Sequence, residues 1–240
     1  MADILEAAGV SRRFGWRWAL RRVDLALERG HRVAIVGENG SGKTTFLRVV
    51  SGLLRPNEGE VRLGGSPVSA LNRSRIGLLV HDPFLYPALT LKENLDFFAK
   101  LFRLPPGAAD EKALYLAGIL GLEDRLDDPV QTLSQGLCQR AALARAMLHE
   151  PNFFLLDEPF AGLDQSAAEG LEAILRNISE GAGFQDGAPR SLLFTDHDIP
   201  RALGLADWVV VLSKGEAVFR AASAETSAGE VSAAMRAGGK

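Results

Sequence analysis

An apolar run, Val33-Ala34-Ile35-Val36, passes without a break into Gly37-Glu38-Asn39-Gly40-Ser41-Gly42-Lys43-Thr44. The run has the length and side chains of a buried strand, and Phe46-Leu47-Arg48-Val49-Val50 after the loop reads as a helix stopped by Gly52. Strand, loop and helix in this order, with G-x-x-x-x-G-K-[ST] spacing, predict a phosphate loop. Glycines lacking Cβ let successive N–H groups of residues 37 to 42 point at phosphate oxygens, and the helix adds the positive end of its dipole. Lys43 is then expected on the β- and γ-phosphates, the Thr44 hydroxyl on Mg²⁺, and Thr45 on the α-phosphate. The bland alternative is a glycine turn that happens to precede a helix. The apolar strand before it and the helix after it count against that.

A nucleoside triphosphate also needs a metal partner and a group that deprotonates the attacking water. Phe153-Phe154-Leu155-Leu156 is a short, wholly apolar strand that ends on Asp157-Glu158. Asp157 suits Mg²⁺ and Glu158 suits the general base. Other buried strands are expected at Ile76-Gly77-Leu78-Leu79-Val80, at Leu192-Leu193-Phe194, and at Val209-Val210-Val211-Leu212 as the last clear one. Residues 59 to 65 read as an edge strand and turn, and 23 to 27 alternate as a half-buried strand does. Between Pro83 and Pro129 the texture turns helical, with a break at Pro105-Pro106, which predicts a helical insertion over about 83–135. Residues 137 to 148 and 167 to 178 read as further helices, and 181 to 189 as a glycine-rich loop. After Arg220 the chain thins to Ala, Ser and Gly, so residues 1–220 read as the domain and 221–240 as a weak helix or frayed tail.

Composition excludes several classes. With 47% apolar and 24% charged residues the chain is a globular one. The longest run free of Asp, Glu, Lys and Arg is 129–139, short of the about 20 apolar residues a spanning helix needs. The first residues carry acids before their basic pair and lack a secretion-signal layout, so the chain is expected to remain in the cytoplasm. A single cysteine, Cys138, excludes an internal disulfide. A net charge of −3 does not provide the positive field of a nucleic-acid binder, and none is expected as partner.

Taken in order, these motifs resemble the ATP-binding cassette (ABC) family from residue 11 to about 219. Leu133-Ser134-Gln135-Gly136-Leu137 is similar to the family signature, usually LSGGQ, with Ser134 and Gly136 matching and Gln135 and Leu137 departing. The resemblance implies an α/β P-loop fold with a RecA-like core, an antiparallel β subdomain and a helical insertion. It implies ATP and Mg²⁺ as ligands and a head-to-tail dimer, of identical or related subunits, in which Ser134 and Gly136 bind the nucleotide held by the other subunit. Asp164, in Ala161-Gly162-Leu163-Asp164, resembles the residue of the D-loop at the dimer interface; alone it reads as a helix cap. His197 matches the switch histidine that reaches the γ-phosphate, and Phe14 the aromatic residue that stacks on adenine, with Trp16 and Trp18 less well placed. Where the family normally has a glutamine near Mg²⁺ and the attacking water, this chain has His81.

Residues 81 to 99 resemble most the CcmA-type haem-exporter ATPases of cytochrome c maturation, which share a histidine at this place and a segment of the form LY-x-x-LT-x-x-ENL-x-F. That likeness implies integral membrane permease subunits as partners and a position at the cytoplasmic face of the cell membrane. Phe84, Leu85 and Tyr86 either grip such a subunit or pack within the helical insertion. Two other readings stay open: an ATPase of another small-molecule exporter, and a soluble assembly ATPase such as one for iron–sulfur clusters. A general nucleotide switch or kinase is disfavoured by the full motif order. No Asn-Lys-x-Asp guanine-reading motif is present, so ATP is expected rather than GTP.

Overall fold

A computed structural model describes residues 4–80, 82–105 and 107–238. His81 lies outside the described residues. The first two strands, β1 (Ile4–Phe14) and β2 (Arg17–Glu28), form an antiparallel hairpin through Gly15 and Trp16. Then come β3 (Arg32–Val36), α1 (Lys43–Val50), β4 (Glu58–Leu63), the two-residue β5 (Ser66–Pro67) and β6 (Ile76–Leu79). The helical region holds α2 (Leu91–Leu101), α3 (Ala108–Leu120) and α4 (Gln135–Met147). The chain ends with β7 (Phe153–Leu156), α5 (Gln165–Ser179), β8 (Ser191–Asp196), α6 (Ile199–Leu205), β9 (Trp208–Ser213), β10 (Glu216–Ala222) and α7 (Ala228–Gly238).

Two sheets result. The larger has the order β10-β9-β3-β8-β7-β6, parallel except for β10 at one edge; the smaller is antiparallel in the order β2-β1-β4-β5. Strands β3, β7, β8 and β9 are buried at nearly every position because both faces of the large sheet are covered. Ala34, Val36, Phe154, Leu156, Val209 and Val211 enter the core shared with the helices from α2 onward. Their neighbours Val33, Ile35, Phe153, Leu155, Val210 and Leu212 enter the core shared with α1 and the antiparallel sheet. The period of two along each strand thus divides one sheet between two cores.

Helix boundaries follow local chemistry. Thr90 and Glu93 form a reciprocal capping box at the start of α2. In α5 the buried positions Ala168, Leu171, Leu175 and Ile178 fall at helical spacing on one face, whereas α4 is buried all round from Ala141 to Met147. The loop after α5 is pinned by Arg190, which is almost fully buried, pairs with Asp186 at 2.7 Å and lies 4.1 Å over the Phe184 ring.

Two expectations change, and one open alternative is decided. Residues 59 to 65 do not form an edge: β4 pairs with β1 on one side and with β5 on the other, in the antiparallel sheet. The residues 209–212 strand is not the last, because β10 follows it; as an edge strand its side chains are exposed or half-buried, so it carries little apolar signal. Past Arg220 β10 runs on to Ala222 and α7 follows, so of the two readings of this stretch, weak helix or frayed tail, the helix is the one that forms. Ser227 and Glu230 cap α7 reciprocally, and Val231 is buried in the helical-side core. Among the described residues no helix is long and apolar enough to cross a membrane.

His149 fastens the helical region to the sheet: its Nε2–H donates to the Ile76 carbonyl at 3.1 Å and its ring stacks on Phe102 at 4.3 Å. Burial holds this imidazole below its usual range, against the hydrogen bond to Ile76 and with help from the Arg145 charge. The unfolded chain therefore takes up the proton first. Stability should be flat above about pH 6.5 and fall as pH drops below it, with a slope of at most about 1.4 kcal/mol per pH unit from this group. Urea midpoints between pH 5 and 8 check this, and His149→Gln should flatten the profile.

Candidate functional site

The parallel register brings the carboxyl ends of four strands side by side: Val36 pairs with Asp196, Leu79 with Leu156, and Leu156 with Phe194. Ligands of open α/β sheets bind outside such ends. The loop of residues 37–42 leaves β3 here and turns into α1. Gly42 has φ 111°, where a side chain would be strained, and a Cβ there would lie 2.6 Å from the Ala19 carbonyl oxygen. At Gly37 a Cβ would lie 2.3 Å from the carbonyl oxygen of Leu212 on β9. Glycine at both positions is what allows the loop to pass between the hairpin and the sheet.

Helix α1 begins at Lys43 with no side-chain cap and no acid in its first turn. Its first N–H groups therefore have no side-chain cap from the helix itself, which suits a phosphate. Lys43 is 5% exposed; its Nζ donates to the carbonyls of Gly37 at 2.8 Å and Glu38 at 3.3 Å, and stands 3.5 Å from Glu158 Oε1. Thr44 Oγ1 donates to Asp157 Oδ1 at 3.1 Å, and Asp157 is itself buried.

Thr195 completes this group. Its Oγ1 donates to Asp157 Oδ1 at 2.9 Å and accepts the Glu158 N–H at 2.7 Å, so one hydroxyl on β8 orders both acids at the end of β7. The backbone of Glu158 has φ 47°, an uncommon left-handed conformation for a residue with a side chain, found where surrounding structure over-determines it. Thr195 was absent from the sequence-derived candidates. Its one signal is a polar residue within an apolar strand.

A cavity of about 920 Å³ is lined by Phe14, Trp16 and Trp18 from the hairpin, by Glu38, Asn39, Gly40, Ser41, Gly42, Lys43, Thr44 and Thr45, and by Glu158. One cavity thus brings together the loop, the hairpin aromatics and an acid from β7. Phe14 is half-exposed, with the Arg12 guanidinium 5.0 Å over its ring. Ser134, Gly136, Asp164 and His197 do not line this cavity. Ser134 caps α4 by accepting from the Leu137 N–H at 3.4 Å, and Gly136 sits in its first turn near Leu163 and Ala167. Asp164 caps α5 through the Ala167 N–H at 2.8 Å, so its bland reading as a cap holds in the single chain. The His197 side chain is 65% exposed just after β8, beside the buried Asp196. Burial pushes the Asp196 carboxyl up, against the Asp198 N–H, the Arg201 charge and the His197 N–H.

The donor chemistry at Thr44 and Asp157, a hydroxyl and a carboxylate oxygen, is that of a hard cation such as Mg²⁺. Among the described residues no group of three or more His, Cys, Asp or Glu side chains could hold a metal ion by itself. This agrees with the habit of Mg²⁺ of taking one or two protein oxygens and completing its shell with substrate phosphates and water. Removing the shared hydroxyl should be costly: Thr195→Val takes a donor from the buried Asp157 carboxylate and the acceptor from the half-buried Glu158 N–H, worth about 1–3 kcal/mol of stability by urea unfolding. Thr195→Ser should retain most of it.

Comparison with known proteins agrees with this geometry. Residues 20–161 match the ABC transporter family. The spermidine/putrescine import ATP-binding protein PotA of Bacteroides fragilis is 33% identical over 215 residues, covering 89% of this chain and 45% of PotA, so the chain spans about half of that relative. Among solved structures, cbiO1 from Clostridium perfringens, part of the ABC transporter complex cbiONQ, superposes with a TM-score of 0.81 at 25% identity over 94% of this chain and 90% of its own. The ATP-binding cassette MJ0796, as a dimer in a post-hydrolysis state with ADP and Pi, superposes with a TM-score of 0.78 at 26% identity over 91% and 98%. With its phosphate loop, its paired acids and this likeness over most of its length, the chain belongs to the ABC transporter family, as an ATP-binding subunit that hydrolyses ATP.

Proposed function

We propose that this chain powers transport through separate membrane subunits by closing on ATP as a head-to-tail dimer and opening after hydrolysis. The observation that carries the proposal is the division of the site. Lys43, Thr44 and Glu158 line one cavity, with Asp157 tied to it through its hydrogen bond from Thr44, whereas Ser134, Gly136, Asp164 and His197 stand outside its wall and have no such link to it. A second subunit facing the cavity supplies the missing contacts from its own α4 N-terminus, which is why the reading needs a dimer. The cassette structure solved as a dimer with ADP and Pi supports it.

Within one site, residues 37–45 wrap the triphosphate with backbone N–H groups, and Lys43 makes charge-assisted hydrogen bonds to the β- and γ-phosphates. Thr44 and Asp157 would hold Mg²⁺, which supplies positive charge to the phosphate oxygens. Phe14 stacks on adenine through its exposed ring. Glu158 takes a proton from water as the water oxygen attacks the γ-phosphorus; the bond to the β-phosphate oxygen breaks, and ADP and phosphate remain. His197 and the partner's signature helix hold the γ-phosphate in the closed state. Loss of that phosphate removes the contacts that both subunits share, and the dimer opens.

The surface for a membrane subunit is aromatic. Phe84, Tyr86 and Phe97 are each about half-exposed, and Tyr86 and Phe97 meet edge to face at 5.0 Å, while Leu85, between Phe84 and Tyr86 in the chain, is buried. The two readings of residues 84–86 therefore divide: Leu85 packs inside and its neighbours face out. A cluster of exposed rings is suited to a helix end of a permease. The structural likeness to a component of the cbiONQ complex supports such an assembly, at the cytoplasmic face of the cell membrane. Haem export for cytochrome c maturation is the cargo reading carried by residues 81 to 99, and it rests on that segment alone.

Glu158→Gln tests the base and the dimer together. Hydrolysis should fall by about 10²- to 10⁴-fold, ATP should bind within a few-fold of wild type, and light scattering should show a dimer that requires ATP. Wild-type turnover would remove Glu158 from the mechanism. The same ATP-loaded variant, isolated from solubilised membranes, should bring down polytopic subunits together with cytochrome c assembly factors. Other permeases would discard haem as cargo, and soluble partners alone would discard transport.

A further inference from the structure

The signature segment of this chain departs from its usual form at Gln135, where a glycine is customary, and the mechanism above leaves that side chain unused. Its carboxamide does not project freely. Gln135 Nε2 donates to the Ala161 carbonyl at 2.9 Å, and one helical turn later Gln139 Nε2 donates to the Pro159 carbonyl at 2.9 Å. Residues four apart share a face of α4, so two carboxamides grip the same short segment at carbonyls two residues apart. That segment joins Glu158 to Asp164 and is itself turned, with Ala161 N–H donating to Glu158 O and Leu163 N–H to Phe160 O.

Gly162 makes room for this grip. It has φ 72°, and a Cβ built on it would lie 2.3 Å from Gln135 Nε2. The long side chain at 135 and the absent one at 162 fit each other. A glycine at 135 would have no atoms with which to make this link, so the link is particular to the residue this chain carries.

We propose that Gln135 is a positioning residue that ties the signature helix to the catalytic turn of the same subunit, and so couples the two ATP sites of the dimer. This rests on the dimeric ATPase reading given above. Ser134, next in the chain, meets the nucleotide of the partner's site, while Glu158 serves the nucleotide of its own. A nucleotide that draws in Ser134 pulls Gln135, Ala161 and the turn behind Glu158 as one piece. Ser134 and Gln135 are exposed in the single chain. Closure of the dimer removes them from water, where a hydrogen bond is worth more than at an open surface.

The test is steady-state hydrolysis by the full-length chain across ATP concentrations, with Gln135→Ala, Gly162→Ala and the double variant. Wild type should be cooperative, with a Hill coefficient approaching about 2, the limit for two sites. Gln135→Ala should lower it towards about 1 and reduce kcat by about 3- to 10-fold, the range of one hydrogen bond, with KM and the thermal midpoint unchanged. Gly162→Ala displaces the carboxamide from the other side. The double variant should therefore lose less than the product of the two single effects. Cooperative wild type with an equally cooperative Gln135→Ala, or a cycle that is strictly multiplicative, would overturn the coupling role and leave the ATPase reading intact. An ATP-loaded Glu158→Gln variant that stays monomeric would instead remove the dimer, and this proposal with it.

Discussion

The Asp157 carboxylate oxygen that accepts from Thr44 and Thr195 at once is the interaction on which the site depends. Thr44 belongs to the first turn of α1, Asp157 to the end of β7 and Thr195 to the end of β8, so one oxygen atom ties a helix to two strands. The β8 hydroxyl also receives the Glu158 N–H, which sets the next acid. Asp157 and Thr195 are buried and Thr44 and Glu158 half-buried, and in such a place a satisfied polar network is rigid and an incomplete one is expensive. The left-handed backbone of Glu158 is tolerated because that network holds it from both sides.

From this knot the remainder of the molecule can be ordered. The large sheet keeps the strand ends in register, and its two covered faces keep the strands from sliding, since a one-residue slip would exchange the side chains of the two cores. The antiparallel sheet brings Phe14 and the hairpin tryptophans to the mouth of the cavity, far in sequence from the acids. The helical region carries the aromatic surface on one side and the α4 N-terminus on another. Short links join these parts, of which the hydrogen bond from Gln135 to Ala161 is one and that from Arg145 to Leu78 another. Arg145 reaches that carbonyl from beneath Phe84 and Phe98, and burial pushes its guanidinium down to about 10 against the pull of Asp82.

Much of this was legible in the chain. The loop of residues 37–44 states its own geometry, since the glycine spacing and the flanking periodicities have few other physical solutions. Asp157 and Glu158 stand out because acids rarely end a run as apolar as 153–156 without a partner. What escaped notice had a weak local signal. β10 is an edge strand with little to bury, α7 hides in an alanine-rich stretch whose only marker is the Ser227–Glu230 box, and Thr195 is a single hydroxyl among apolar neighbours. Gln135 looked like a mere departure from a motif, because its partners are 26 and 27 residues further on.

The sequence by itself determined the kind of ligand, the five parallel strands of the large sheet, and the pair of acids that closes one of them, because each is encoded by neighbouring residues whose spacing carries the chemistry. Only the tertiary structure decided which of those residues meet. It joined Thr44, Asp157 and Thr195 around one oxygen, turned Phe84 and Tyr86 outward while burying Leu85, and left Ser134 and His197 outside the cavity wall. The reason is physical: those outcomes depend on parallel register and on the packing of α4 against the sheet, contacts between residues far apart in the chain that no local spacing records.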